Sequence, residues 1–377
     1  MNTPDLGALL ADIETLVTCE SPSKDHEALA RSAAEVAAIG RRLLGTEPEY
    51  LLTEGCPHLR WRFGPGPARV LLLAHHDTVW PAGSLLTHPY GVHEGVLRGP
   101  GCFDMKAGLV MALHALAALP ERAGVTVLVT GDEEIGSPRS RVLIEEEARG
   151  CEAVFVLEAS ADGGALKCRR KGVSQYRVEV GGRAAHSGLE PEKGVNAGVE
   201  LAHQILAVTE LADPARGTSV VPTVLSAGTT VNTVPAAAVV ALDVRAWDLA
   251  EQQRVDAGLR ALCPVLPGAR VRVTGGVNRP PLEAAASGAL FGLADSLARD
   301  LGLGPLAAAA VGGASDGNFT AGLGVPTLDG LGAVGGGAHA DDEHILVAEL
   351  PRRTALLTAL VEAVLSGRPG RSEGVSR

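Results

Sequence analysis

Three apolar runs constrain this chain more than any other feature. Val70-Leu71-Leu72-Leu73-Ala74, Val125-Thr126-Val127-Leu128-Val129 and Val154-Phe155-Val156-Leu157 leave no room for a wet face. Strands of this kind are buried on both sides, as in a parallel sheet covered by helices. Each run closes on histidine or acid: His75-His76-Asp77, Asp132-Glu133-Glu134 and Glu158. A fourth cluster, around His339, follows the apolar run at 325–328. Parallel strands in an open sheet share one rim at their carboxyl ends, where ligands bind, so groups far apart in sequence are expected to converge there.

The pattern between these runs organises the rest. Helical spacing covers 5–18 and 25–44, the second after a capping region at Ser21-Pro22-Ser23, and strands are expected near 48–52 and 59–63. Strand 69–74, helix 106–119, strand 125–130, helix 139–149 capped at Ser137-Pro138, and strand 153–158 then alternate as β-α-β crossovers require. Beyond Lys171-Gly172 the strands alternate polar and apolar residues, as in Arg177-Val178-Glu179-Val180, which marks a sheet with one wet face. Strand 173–181, helix 194–210, strands 218–226 and 233–247, helix 249–262 and strand 270–275 make a β-α-β-β-α-β unit. The first pattern returns with helix 284–301, a short helix after Ser315-Asp316, strand 325–330 and helix 347–365. The expected fold class is α/β, a mostly parallel sheet flanked by helices, with an inserted α+β domain. Residues 1–172 and 280–377 are read as one discontinuous domain and 173–279 as the insert.

Composition removes several classes of function. A net charge of −11 argues against nucleic acid or an anionic membrane as partner. Six cysteines without a C-x-x-C pair read as reduced thiols, which fits a cytoplasmic location. The start lacks a basic leader and no apolar run approaches about 18 residues, so a soluble, unprocessed chain is expected. Residues 366–377 look disordered. Gly302-Leu303-Gly304-Pro305-Leu306-Ala307 follows a helix rather than a strand, so it is rejected as a dinucleotide loop, and there is no P-loop or G-x-S-x-G elbow.

The clusters themselves suit metal chemistry. The two-residue period of a strand puts His75 and Asp77 on one side, where Asp77 can support a liganding imidazole. Asp104, just before a helix, can cap that helix or bridge two ions. Glu133 and Glu134 diverge, so one can bind metal while the other serves as general base; solvated loop charges are the alternative. Glu158 ends a buried strand, where an unpaired charge is costly. His339 sits in a run of glycines that lets the backbone approach a ligand, or is incidental to a flexible loop. Together two histidines, three carboxylates and a spare glutamate favour a metal-dependent hydrolase.

At these residues the chain resembles the dinuclear zinc aminoacylase and carboxypeptidase family that includes glutamate carboxypeptidase, acetylornithine deacetylase and succinyl-diaminopimelate desuccinylase. The landmarks are Ala74-His75-His76-Asp77-Thr78-Val79, Gly101-Cys102-Phe103-Asp104-Met105-Lys106-Ala107-Gly108, Asp132-Glu133-Glu134-Ile135-Gly136-Ser137, Glu158 and His339-Ala340-Asp341-Asp342-Glu343. The resemblance implies a zinc-peptidase-like catalytic domain holding two Zn2+, with Co2+ and Mn2+ as alternatives. One ion falls to His75 and Glu158, the other to Glu134 and His339, with Asp104 bridging, Glu133 as general base, Asp77 in support and a cis Asp104-Met105 peptide. It further implies a homodimer through 173–279, whose His186 reaches a neighbouring active site and stabilises the oxyanion. Asn232, Arg245 and Arg279 match substrate-binding positions. The implied activity is release of a C-terminal amino acid from an N-acyl amino acid or short peptide. N-acyl amino acid deacylation and non-catalytic peptide or metal binding are the alternatives. Arg169 stands where a small polar residue would be expected, so side-chain specificity does not carry over.

Overall fold

The computed structural model describes residues 4–367; most of the stretch read as a disordered tail lies outside them. The chain divides into two compact units, Met1–Arg169 with Glu283–Val311 and Ser315–Arg377, and Arg170–Leu282 with Gly312–Ala314.

The first unit is built on a six-stranded sheet in the order Glu49–Thr53, Cys56–Arg62, Val125–Thr130, Val70–His75, Ala153–Val156, Thr327–Leu328. The last four strands are parallel and the first two antiparallel. Every residue of Val70–His75 and Val125–Thr130 is buried. Alternate side chains feed two cores: Leu72, Ala74, Val127, Val129 and Phe155 pack into one with the helices Ala107–Ala117 and Glu349–Leu365. Leu71, Leu73, Leu128, Val154 and Val156 meet Ile144, Ala148 and Phe319 on the other. Burying one such side chain contributes about 1.5–3 kcal/mol, which explains why the runs tolerate no polar alternation. Register brings His75 level with Thr130, and Leu73 level with Val156, so the strands expire along one rim.

Several local expectations are corrected. Helix His26–Leu44 is capped by Asp25, whose carboxylate accepts from Glu27 and Ala28 N–H. Ser21 and Ser23 instead strap the segment after His75, through Ser21 Oγ to the His76 carbonyl and Ser23 N–H to the Thr78 carbonyl. Helix Arg141–Ala148 begins after Ser140 without a side-chain cap; Asp132 accepts Arg139 and Ser140 N–H in the approach to it, while Ser137 turns its hydroxyl to Asp316. The expected helix from 106 opens with an irregular turn, Cys102–Lys106, before Ala107–Ala117. The last sheet strand is only Thr327–Leu328. A small antiparallel sheet of Gly91–His93, Val96–Arg98, His344–Leu346 and Gly335–Gly336 was not foreseen, because segments of two or three residues carry no period.

The second unit is a four-stranded antiparallel sheet, ordered Ser219–Ala227, Ala237–Ala246, Gly172–Gly181, Arg270–Arg279, with helices Ala197–Thr209 and Leu249–Arg260. Tyr176, Val178 and Val180 meet Leu201, Val208, Val255 and Leu259 on one face. Arg177 and Glu179 pair with each other on the opposite side, as the alternation requires. No helix among the described residues is long and apolar enough to cross a membrane.

Candidate metal centre

His75 ends the central strand, and its buried ring is oriented by its own chain. Nδ1–H donates to the Asp77 carbonyl at 3.0 Å, and Asp77 Oδ1 lies 3.4 Å away. A carbonyl only accepts, so in the neutral ring the proton resides on Nδ1 and Nε2 presents a lone pair. That Nε2 is 3.4 Å from Asp104 Oδ1 and 3.6 Å from Glu158 Oε1. On the other side, His339 Nε2 is 3.3 Å from Asp104 Oδ2 and 3.2 Å from Glu134 Oε2. Asp104 thus turns one oxygen toward each histidine, and two groups, His75-Asp104-Glu158 and Asp104-Glu134-His339, share it.

Each donor is held by its surroundings. The Asp77 carboxylate is fully buried and accepts Glu133 N–H at Oδ1 and Glu134 N–H at Oδ2, both at 3.2 Å. It therefore fixes the short turn that carries both glutamates, as well as flanking His75. Asp104 enters through a cis peptide to Met105, on a turn whose N–H groups are taken up by Glu343. His339 has φ +64°, a conformation uncommon outside glycine that persists only where surroundings impose it. Its neighbour Gly337, at φ +75°, could not carry a side chain, since a β-carbon would stand 2.8 Å from Asp342 backbone atoms.

The electrostatics describe a site crowded with acid. Burial pushes the Glu134 carboxyl up to about 7. Burial acts in the same sense on Asp104, but the facing imidazoles of His339 and His75 win and carry it below the usual carboxylate range. Asp104 and Glu134 raise His339 to about 10, and His75 also rises, burial notwithstanding, beside Asp104, Asp77 and Glu158. Two buried atoms in this cluster, His75 Nε2 and Glu134 Oε1, make no hydrogen bond. Buried polar atoms are rarely left so. Imidazole nitrogen and carboxylate oxygen are the donors that zinc and similar divalent ions take, so the residues present fit such ions.

A third group, Cys56, His58 and Asp132, also lies close together and fully buried. It is poorly suited to a cation. Gly131 N–H donates to His58 Nδ1 at 3.1 Å, which leaves the ring proton on Nε2 and no lone pair there. The Asp132 oxygens are engaged by Arg139 and Ser140, and burial pushes the Cys56 thiol up to about 12.

The remaining residues singled out in the sequence belong to the second unit, apart from Arg169, which is half-buried in the first. His186 and Asn232 are exposed and adjacent: His186 bridges Thr233 and Ser187 N–H donates to the Asn232 carbonyl. Gly188 N–H donates to His186 Nδ1 at 3.1 Å. Arg245 makes a two-pronged contact with Asp243, at 2.7 and 3.0 Å. Arg279 ends its strand, buried, with Gln252 donating to its carbonyl. Sequence reasoning gave no role to Glu343, or to Gly108 and Gly332, which enclose the backbone leading into Glu158. The acid four residues after His339 was the one available signal for the first.

Known proteins resemble this chain over most of its length. Residues 71–363 match the peptidase family M20/M25/M40. The chain is 31% identical to carboxypeptidase G2 of Pseudomonas sp. (strain RS-16), over 97% of this chain and 91% of that one. It is 29% identical to a succinyl-diaminopimelate desuccinylase of Methylorubrum extorquens (strain PA1), over 94% and 98%. Among solved structures, an M20 family metallo-carboxypeptidase from Sulfolobus solfataricus shares the fold at a TM-score of 0.71 and 17% identity, covering 97% of this chain and 99% of its own. A tripeptidase from Staphylococcus aureus does so at 0.71 and 18%, covering 97% and 100%. With an α/β fold, donor groups suited to metal and a match over most of its length, the chain belongs to the M20/M25/M40 peptidase family and is a metallohydrolase.

Proposed function

We propose that this protein hydrolyses an amide bond to release a C-terminal amino acid from an N-acyl amino acid or short peptide, using two zinc ions. The observation that carries the reading is the sharing of Asp104 by two donor groups, one oxygen toward His75 and one toward His339. His75, Asp104 and Glu158 would hold one ion, and Asp104, Glu134 and His339 the other. When bound, such ions supply Lewis-acid polarisation of a carbonyl oxygen and make water acidic near neutral pH.

The chain's own groups do the rest. Glu133, next to a ligand in the turn fixed by Asp77, takes a proton from the attacking water and returns it to the leaving amine as the C–N bond breaks. His186, reaching the active site of a neighbouring subunit, is our donor to the oxyanion of the tetrahedral intermediate. Its tautomer suits the task, because Gly188 N–H occupies Nδ1 and leaves the proton on Nε2. Asn232, Arg245 and Arg279 are our substrate contacts, with the Arg245 guanidinium oriented by Asp243. We also read the protein as a cytoplasmic homodimer through 173–279. Leu206, Val224 and Leu225 of that stretch are each more than half exposed, which supports a covered surface there.

The relation to carboxypeptidase G2 supports amino-acid release, and the relation to desuccinylases supports a second reading, in which the acyl half is recognised. A zinc-loaded screen of N-acyl amino acids and dipeptides, scored for amine release, separates them. Rates that follow the released amino acid are expected. Rates that follow only the acyl group would favour the deacylase, and no chelator-sensitive release would overturn both.

A further inference from the structure

We propose that Glu343 is a positioning residue, which sets the turn at 101–104 so that Asp104 offers an oxygen to each donor group. The inference rests on the reading of Asp104 as the shared ligand. Glu343 is 3% exposed, and its carboxylate accepts four N–H groups. Oε1 takes Phe103 N–H at 2.9 Å and Asp104 N–H at 3.0 Å; Oε2 takes Gly101 N–H at 2.9 Å and the Trp80 indole at 2.6 Å.

Three of these donors belong to the opening of the turn Cys102–Lys106 and its approach, where backbone N–H groups have no partner within the turn. Left unpaired in a buried place, each would cost about 1–3 kcal/mol. One carboxylate satisfies all three and so selects the turn geometry that puts Asp104 between His75 and His339. None of the four donors is a cation, so the Glu343 charge is held by dipoles fixed in direction, not by a side chain free to move away.

Glu343 also links the two halves of the centre. Ala340 N–H donates to the Gly337 carbonyl and Glu343 N–H to the Ala340 carbonyl, so His339 and Glu343 sit on one short, doubly turned segment. That segment supplies one ligand and clamps the loop that supplies another. Any shift of Glu343 moves Asp104 relative to His339.

The test uses the full-length, metal-free protein, with Co2+ as probe and Zn2+ followed by chelator competition. Glu343→Gln keeps the shape but places an NH2 against one pair of N–H donors. We expect metal affinity to fall by about 10–100-fold, the size usual for groups that orient a ligand. The Co2+ absorption bands should change, and kcat should drop with KM unchanged. Trp80→Phe removes one donor and keeps the three backbone bonds, so a loss of only about two- to fivefold is expected. A folded Glu343→Gln protein with the parent's Co2+ affinity and spectrum overturns the proposal. If that variant does not fold, Trp80→Phe decides, with an unchanged affinity overturning it. Failure of the parent protein to take up two Co2+ would instead overturn the underlying reading of Asp104.

Discussion

A β-carbon on Gly108 would stand 2.0 Å from the carbonyl oxygen of Leu157. The first turn of helix Ala107–Ala117 thus packs directly on the backbone that delivers Glu158. Gly332 closes from the other side, where a β-carbon would lie 2.2 Å from the same oxygen, and its N–H donates to the Glu158 carbonyl at 2.8 Å. In an exposed helix, Gly→Ala stabilises by about 1 kcal/mol. Here the sign reverses. Gly108→Ala should lower stability by about 1–3 kcal/mol, as overpacking does, and weaken metal binding with it. Thermal unfolding with and without zinc measures both.

Asp77 bonds to the backbone of both glutamates and flanks His75, so one substitution should disturb ligand and base together. In Asp77→Asn, one of the two N–H groups faces an NH2 instead of an acceptor. Activity is expected to fall by about 10–100-fold. Steady-state kinetics and zinc titration check this, and a variant equal to its parent in both would remove Asp77 from the account.

The general-base assignment predicts a clean separation. Glu133→Gln should keep metal binding and lose about 10²–10⁴-fold in kcat, the usual share of acid–base assistance. Metal content by atomic emission, measured on the sample used for kinetics, distinguishes loss of the base from loss of the ions.

The parts of the site that could be read from sequence are those tied to strong periods. Uniform apolar runs announced buried parallel strands, and from them followed a common rim for His75, Glu134 and Glu158. Tautomers, by contrast, depend on carbonyls and amides that no residue type reveals, such as the Asp77 carbonyl at His75. The closeness of Gly108 to Leu157 is a tertiary fact with no local signature. Capping was misread at Ser21 and Ser137 because serine serves long-range bonds as readily as helix ends; Asp25 supplies the first cap, and the second helix starts without a side-chain one.

Acid should weaken the second unit through Glu251. This buried carboxylate accepts from Arg254, Thr218 and Arg216, with Arg254 the largest influence, and is held down at about 2. A depressed native value stabilises the fold fully above the ordinary glutamate range, and that contribution is lost as pH falls from about 4.5 to 2. Arg216 is largely exposed and Arg254 partly so, which screens the interaction, so about 1 kcal/mol is expected. The stability difference between the parent and Glu251→Gln, from urea unfolding of the full chain, should shrink over that window. A difference independent of pH would contradict it.

The most direct test is anomalous diffraction from crystals loaded with zinc. The account predicts two peaks per chain, one contacted by His75, Asp104 and Glu158 and the other by Asp104, Glu134 and His339. A peak at Cys56, His58 and Asp132 with none at Asp104, or no ordered zinc in the chain, would contradict it.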